Sequence, residues 1–190
     1  NVDRRVLELV LARLEADHEL VVSINVSGVT TLDSQWLRRV VAMAHTRPDL
    51  PGRLVVEITE TAALQDIDET ARFVSTLRDL GGRVALDDFG AGHTTFRTLK
   101  ALPVDMVKID GSFITGLARQ PADVAFVRAL TGLAKACGKA TVAECVEDEA
   151  TAQVLKACGV DYLQGYLYGR PAALPERKLN VLGDRPAARA

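Results

Sequence analysis

Two kinds of apolar segment alternate along this chain from one end to the other. Short runs rich in Val, Ile and Leu have the length of strands, and they are separated by longer stretches with apolar residues at helical spacing. Regular β-α alternation predicts a parallel sheet, because parallel strands need crossover connections and the connecting helices cover both faces. The six predicted strands cover residues 20–26, 54–59, 83–88, 104–110, 140–144 and 161–166.

The helices predicted between these strands have recognisable ends. Asp33 opens one of them, and Pro121 stands at the first turn of another. Gly81, Gly138 and Gly159 stand just past three predicted helices, where a left-handed residue commonly ends a helix. The predicted helices cover residues 2–16, 33–46, 66–80, 121–137 and 148–158, and a short one ends near Leu102.

Each predicted strand ends in a polar side chain that could bind a metal ion or a phosphate. Two architectures fit the alternation, an open doubly wound sheet and a (β/α)8 barrel. An open sheet confines its ligand site to a switch point, whereas a barrel arranges all its strand ends around one site. Polar ends on every strand therefore favour the barrel. The strand-end residues are Asn25, Glu57, Asp87 with Asp88, Lys108, Glu144 and Gln164.

Each of these residues also has an ordinary structural explanation. Asn25 could close a turn, and Lys108 could be an edge-strand residue. Glu147 could cap the following helix as readily as it could act in a site. Asp87 and Asp88 are adjacent on a strand and should point to opposite faces, so that one could be catalytic and the other structural. The functional explanation is favoured because the alternative needs six independent coincidences.

If the strand ends converge, several acids surround one lysine. Such a cluster cannot stay ionised without compensation, so its pKa values rise or cations bind. Carboxylate and amide oxygens suit Mg²⁺, Mn²⁺ or Ca²⁺ rather than zinc. Two such ions at ~3.5–4 Å separation are a recurrent device for the in-line attack of water on a phosphodiester. The acids are Glu57, Asp87, Asp88, Glu144 and Glu147, and the lysine is Lys108.

Composition and motifs exclude several other classes of protein. The 190 residues carry 23 Lys and Arg against 25 Asp and Glu, a net charge of −2. A nucleic-acid polymer is therefore not an expected partner. No apolar run approaches the ~18–20 residues of a membrane span. The 3 cysteines form no CxxC pair, which predicts a reducing, cytoplasmic setting. The sequence has no P-loop, GxGxxG, HExxH or GxSxG motif.

Six motifs stand at the predicted strand ends. They read INVS at 24–27, EITE at 57–60, LDDFGAG at 86–92, VDMVKIDGSFI at 104–114, AECVE at 143–147 and LQGYLYGRP at 163–171. Together they strongly resemble the EAL domain, the cyclic di-GMP phosphodiesterase family of bacterial signalling proteins. The DDFG and KID motifs with their spacing are highly specific. The resemblance implies a modified (β/α)8 barrel that hydrolyses cyclic di-GMP to linear pGpG.

The resemblance also implies a two-metal site with Mg²⁺ or Mn²⁺, and that Ca²⁺ inhibits. Asn25, Glu57 and Asp87 would bind one ion, with Asp87 shared between the two ions. Asp88 would help to bind the second ion, and Glu144 would be a ligand of that ion or a general base.

The remaining implied roles concern water, substrate and support. Lys108 would orient the attacking water or help to activate it. Gln164 would position the metal-bound water or the substrate. Glu60 and Glu147 would be supporting groups that hold the loop and the metal ligands in place.

The sequence departs from the family pattern at three places. It lacks the Glu-Ala-Leu motif that names the family, so we expect the first strands of the barrel, and this motif, upstream of Asn1. The loop usually written DFGTGYSS reads DFGAGHTT at residues 88–95, with His93 among the changes. Cys145 replaces the glycine of EGVE, and it would be strained if that glycine needs positive φ.

The leading hypothesis is therefore a metal-dependent cyclic di-GMP phosphodiesterase. The alternative is a catalytically degenerate EAL domain that acts as a cyclic di-GMP receptor or as a protein-interaction module. We expect the domain to cover residues 1–176, followed by a tail at 177–190. The resemblance implies a homodimer formed through the region after the DDFG loop. It also implies fusion to a sensor or diguanylate-cyclase module, which could attach a longer parent protein to a membrane.

Overall fold

Strands and helices alternate as predicted in the computed structural model, which describes residues 2–92 and 96–172. In this part of the chain six strands form one parallel sheet. His93 and the predicted tail at 177–190 lie outside the described residues. The strands are Val22–Val26 (β1), Leu54–Thr59 (β2), Arg83–Phe89 (β3), Met106–Ile109 (β4), Ala140–Ala143 (β5) and Tyr162–Leu163 (β6).

The order of the strands decides between the two predicted architectures. The sheet runs β1-β2-β3-β4-β5-β6, so every strand lies beside its neighbours in the sequence. A doubly wound sheet reverses its order at a switch point, whereas a (β/α)8 barrel keeps chain order. The α/β fold with barrel-type strand order is therefore confirmed.

The helices begin where side chains can cap their free N–H groups. Asp33 accepts hydrogen bonds from the N–H groups of Gln35 and Trp36, and Asp148 accepts one from Thr151. The helices are Val2–Ala16 (α1), Gly28–Thr31 (α2), Ser34–Thr46 (α3), Glu60–Gln65 (α4), Ile67–Asp79 (α5), Phe96–Ala101 (α6), Pro121–Ala136 (α7) and Glu149–Cys158 (α8). None of these helices combines the length and hydrophobicity that crossing a membrane requires.

The apolar residues are buried in two clusters, which lie along successive parts of the sheet. The larger cluster joins β1 to β4 with α1, α3 and α5, and Leu7, Leu14 and Trp36 are fully buried in it. The smaller cluster joins the ends of β4 and β5 to α7 and α8. Helices thus cover the strands, as continuous apolar strands of a parallel sheet require.

Four predicted strands are shorter than expected, slightly so for Val22–Val26 and Ala140–Ala143 and more so for the two described next, and two short α-helices were not predicted. The strand predicted at 161–166 spans only Tyr162–Leu163, because the chain bends at Gly165 to pass against the backbone of Val146. The strand predicted at 104–110 spans Met106–Ile109. The unpredicted helices are α2 and α4, and α4 begins at a Thr59 cap.

Candidate active site

The carboxyl edge of the sheet gathers the residues predicted at the strand ends. Glu57 lies in β2, and in the strand register it pairs with Asn25 of β1. Lys108 lies in β4. Glu144 directly follows β5, and Gln164 directly follows β6. The fold therefore brings side chains that are far apart in the sequence to one edge of the sheet.

Lys108 forms ion pairs with carboxylates from three other strands or strand ends. Its Nζ lies 2.7 Å from Glu57 Oε2, 3.1 Å from Asp87 Oδ1 and 2.6 Å from Glu144 Oε1. Lys108 is only 5% exposed, so it is not the edge-strand residue of the alternative explanation. A buried ammonium needs such partners, because an uncompensated buried charge is strongly destabilising.

Asp87 and Asp88 lie on the same side of the site, contrary to the expectation for adjacent strand residues. The backbone of Asp88 is left-handed, with φ of 58°, and the register of β3 shifts between Leu86 and Phe89. This bend breaks the alternation of side chains along the strand. Ligand oxygens of Asp87, Asp88 and Glu144 consequently lie within 4.8 Å of one another.

Burial and crowding shift the pKa values of this cluster. Burial lowers the pKa of Lys108, but the hydrogen bond to Glu144 and the other carboxylates outweigh it, so the pKa is raised. Burial raises the pKa of Glu144, which the hydrogen bond to Lys108 only partly offsets. Burial, followed by the charges of Asp87 and Asp110, raises the pKa of Asp88. Three carboxyl groups thus share one ammonium, Asp88 adds a fourth acid beside them, and the acids outnumber the ammonium.

The donors in this cluster fit a divalent cation. Asp87, Asp88 and Glu144 are close enough for their oxygens to contact one ion, and Glu57 is joined to Asp87 and Glu144 through Lys108. All four groups are carboxylates, which are the hard oxygen ligands that Mg²⁺ and Mn²⁺ prefer. Burial is the main cause of the raised pKa values of Asp88 and Glu144, and a cation would offset the neighbouring negative charges that add to it.

Glu60 lies behind the cluster and contacts the loop that follows β3. It is the first residue of α4 and is only 2% exposed. The backbone N–H of Gly90 donates a hydrogen bond to Glu60 Oε2 at 3.3 Å. A Cβ at Gly92 would collide with the same carboxylate, so the loop passes close to Glu60 where a side chain does not fit.

Cys145 occupies a second left-handed position beside the cluster. Its φ is 52°, so this position has the backbone conformation that favours glycine. A Cβ at Gly111 would collide with Cys145 Sγ, which means that the thiol lies directly against this glycine. Burial, followed by the charges of Glu144 and Glu147, raises the pKa of the Cys145 thiol.

Gln164 lines two cavities, one that extends along a face of the sheet and one beside Glu144. One cavity of about 240 Å³ is lined by Gln164 together with Glu57 and Lys108. The other, of about 290 Å³, is lined by Gln164 together with Glu144, Glu147 and Tyr166. Glu147 is thus an exposed residue at the mouth of the site, while Gln164 faces both spaces.

Ser23 also belongs to this site, although we did not predict it from the sequence. Its Oγ donates a hydrogen bond to Glu57 Oε1. Ser23 stands two residues before Asn25 in β1, and residues two apart on a strand share a face. The alternation along the strand was therefore the signal that could have identified it.

Several known proteins with similar sequences are named as cyclic di-GMP phosphodiesterases. The chain is 39% identical over 164 residues to cyclic di-GMP phosphodiesterase PdeB of Shewanella oneidensis, covering 86% of this chain and 19% of PdeB. It is 39% identical over 121 residues to bifunctional diguanylate cyclase/cyclic di-GMP phosphodiesterase MucR of Pseudomonas aeruginosa, covering 64% of this chain and 18% of MucR. The chain thus spans about a fifth of the length of these relatives.

A solved structure has the same architecture. The structure of PaMucR phosphodiesterase in complex with c-di-GMP matches with a TM-score of 0.81 and 31% sequence identity. The match covers 90% of this chain and 76% of that one. The sequence profile of the EAL domain matches residues 1–171. Sequence, fold and the acidic edge of the sheet therefore agree that this chain belongs to the EAL domain family.

Proposed function

We propose that this chain is a metal-dependent phosphodiesterase that hydrolyses cyclic di-GMP to linear pGpG. The observation that carries the proposal is the contact of Lys108 with Glu57, Asp87 and Glu144, which come from three different strands or strand ends. The names of PdeB and MucR support the substrate, and the PaMucR complex supports the binding of c-di-GMP by this fold.

The metal ligands in this proposal are the acids of the cluster together with Asn25. Asp87, Asp88 and Glu144 have oxygens within 4.8 Å of one another, and Asn25 lies beside Glu57 in the strand register. When bound, Mg²⁺ or Mn²⁺ supplies Lewis-acid polarisation of the phosphoryl oxygens and lowers the pKa of a water molecule. Ca²⁺ is expected to inhibit.

The reaction that these residues support is the attack of water on one phosphorus of the cyclic dinucleotide. The new P–O bond forms as the bond to the 3′ oxygen breaks, which leaves a 5′ phosphate and a 3′ hydroxyl. Lys108 donates hydrogen bonds and can orient the water from its buried position. Glu144, whose pKa is raised, accepts a proton from the water if it acts as the general base and not as a ligand of the second ion. The proton that the attacking water loses is matched by one delivered to the leaving 3′ oxygen, directly or through solvent water, so the step balances.

Three further residues position these groups in the proposal. Gln164, which lines the cavity beside Lys108, orients the water or the substrate. Glu60 holds the loop after β3 through the N–H of Gly90. Glu147 stands at the mouth of the cavity lined by Glu144 and supports it.

The direct test is turnover by the full-length natural protein. Cyclic di-GMP is incubated with Mg²⁺, Mn²⁺ or Ca²⁺, and the formation of pGpG is followed by chromatography. We expect product with Mg²⁺ or Mn²⁺ and none with Ca²⁺. Glu144→Gln keeps the size of the side chain but removes its ability to accept a proton, so we expect it to lose turnover. The absence of product with both Mg²⁺ and Mn²⁺ would overturn the enzymatic proposal.

A second candidate function is binding of cyclic di-GMP without hydrolysis. The observation that favours it is Cys145, which places a side chain on a left-handed backbone directly after Glu144. Displacement of Glu144 by this strain would remove turnover before it removed binding. Calorimetric binding together with zero turnover would identify a receptor, and the loss of both activities would eliminate it.

The proposal also includes assembly and context. It includes pairing of two copies through the region after the DDFG loop, where Phe96 of α6 is 51% exposed. Light scattering during size-exclusion chromatography tests this pairing.

A further regulatory module, such as the cyclase named in MucR, would act on this domain from the same polypeptide in the cytoplasm. The proposed domain extends over residues 1–176.

A further inference from the structure

The carboxylate of Glu57 is held by two different donors, one at each oxygen. Lys108 Nζ donates to Oε2 at 2.7 Å, and Ser23 Oγ donates to Oε1. Glu57 is itself 7% exposed and lies in a strand of buried apolar residues. Two donors on opposite oxygens fix the plane of a carboxylate, which neither donor fixes alone.

The two donors differ in what else they contact. Lys108 contacts Glu57, Asp87 and Glu144, so a change at Lys108 affects all three carboxylates and not Glu57 alone. The hydroxyl of Ser23 carries no charge and donates to Glu57. A carboxylate oxygen accepts more than one contact, so Oε1 can keep the hydroxyl hydrogen bond and still bind a cation.

The strand geometry brings Ser23 into this position. Ser23 pairs with Val55 in the parallel register, and Asn25 pairs with Glu57. Ser23 and Asn25 share a face of β1, so one strand supplies both a neighbour of the cluster and a donor to Glu57. Ser23 also lines the cavity of about 240 Å³ that contains Glu57, Lys108 and Gln164.

We propose that Ser23 is a positioning residue that orients the carboxylate of Glu57 for metal binding. The inference rests on the proposed function, because it takes Glu57 to be a metal ligand. Residues that orient metal ligands typically contribute about 10–100-fold to metal affinity or activity. Ser23→Ala removes the donor without adding bulk, so the metal affinity should fall by roughly that factor.

The test measures Mn²⁺ binding to the full-length protein by calorimetry, without substrate. Ser23→Ala should bind Mn²⁺ about tenfold more weakly or worse than the natural protein. Ser23→Thr keeps the hydroxyl and should restore most of the affinity. Ser27→Ala is the matched control, because the hydroxyl of Ser27 bonds to Asp3 and not to the cluster. Circular dichroism melts establish that each variant is folded.

The outcomes separate this inference from the proposed function. If the natural protein binds no Mn²⁺ and produces no pGpG, the proposed function and the role of Ser23 both fall. If it binds Mn²⁺ and Ser23→Ala binds equally well, only the positioning role falls. Equal weakening by Ser23→Ala and Ser23→Thr would also overturn it, because the hydroxyl would then not be the cause.

Discussion

Two backbone bends lie beside the candidate site, one near the end of β3 (the β3 turn) and one just after β5 (the β5 turn), and they place different residues at the bend. The β3 turn has its left-handed residue at Asp88, inside the strand, and the β5 turn has its left-handed residue at Cys145, two residues after the strand ends. Both residues have left-handed backbones, with φ of 58° and 52°. Aspartate is several-fold enriched in this conformation, whereas cysteine is not. The same backbone bend is therefore natural at one turn and strained at the other.

The surroundings of the two turns differ as well. At the β3 turn the left-handed residue is itself an acid, and the bend adds Asp88 to the cluster beside Asp87 and Glu144. At the β5 turn the left-handed residue follows the acid, and its side chain packs against Gly111. The comparison teaches that a left-handed bend can supply a ligand at one strand end and only a packing contact at another.

The largest expected effect comes from replacing Lys108, which pairs with Asp87 beside the β3 turn and with Glu144 beside the β5 turn. Lys108→Met leaves buried carboxylates without their cation, so the free energy of unfolding without divalent ions should fall by about 3–5 kcal/mol. Added Mn²⁺ should restore part of this loss, because it offsets the same charge. Turnover should fall by roughly 10²–10⁴-fold. Denaturant melts with and without Mn²⁺ measure the first two effects.

Lys156→Met is the control for this experiment. Lys156 lies on the surface, 4.0 Å from Glu149, and its replacement should change the free energy of unfolding by less than about 0.5 kcal/mol. A Lys108→Met protein as stable as this control would contradict the role of Lys108 as the buried counter-ion.

An intermediate effect isolates the β5 turn. In Gly111→Ala the new Cβ collides with Cys145 Sγ, so the free energy of unfolding should fall by about 1–3 kcal/mol. Cys145→Gly in the same chain should restore most of it, because it removes the colliding thiol. Gly132→Ala in α7 is the control, since nothing lies within 4 Å of a Cβ there. Failure of the double variant to recover would show that the thiol is not the cause.

The smallest expected effect concerns the charge of Asp148, which caps the N-terminus of α8 after the β5 turn. The backbone N–H of Thr151 is the largest influence that lowers the pKa of Asp148 below its ordinary 3.8. A lowered pKa in the folded state gives stability that is present above the ordinary value and is lost as the pH falls. Asp148→Asn should therefore be slightly less stable than the natural protein at pH 7.

This difference should shrink as the pH falls below 3.8 towards the lowered pKa of Asp148. Thr59→Ser is the comparison, because Thr59 caps α4 with a neutral hydroxyl. Its stability relative to the natural protein should not change with pH. A pH-independent difference for Asp148→Asn would assign its effect to hydrogen-bond geometry alone. Thermal melts over a pH series measure both.

The order of strands and helices was predictable because it depends on local patterns. Strand β2 is a continuous apolar run with one glutamate, and its predicted bounds are confirmed. The helix predicted at 66–80 is α5, capped by Asp66. In α4, by contrast, the six residues Glu60–Gln65 are too few to show a helical period.

The arrangement within the site was only partly predictable. Positions at strand ends follow from the sheet, so the meeting of Glu57 and Lys108 could be expected. The convergence of Asp87 and Asp88 could not be expected. The alternation of side chains along a strand places adjacent residues on opposite faces, and it does not indicate a left-handed bend such as the one at Asp88. The hydrogen bond from Ser23 also depends on the parallel register of β1 and β2, which a single sequence does not reveal.

The chain-order sheet has a consequence for how the molecule folds. Each βα unit can dock on the preceding one with a modest loss of loop entropy, because neighbouring strands are close in the sequence. Glu57 and Asp87 belong to β2 and β3, but their ammonium partner arrives only with β4, 51 residues after Glu57. A part of the chain that ends at β3 therefore holds these two acids, and Asp88 as well, without the ammonium of Lys108. The addition of β4 brings the ammonium of Lys108, which offsets part of this negative charge, so the docking of β4 is favoured by charge as well as by packing.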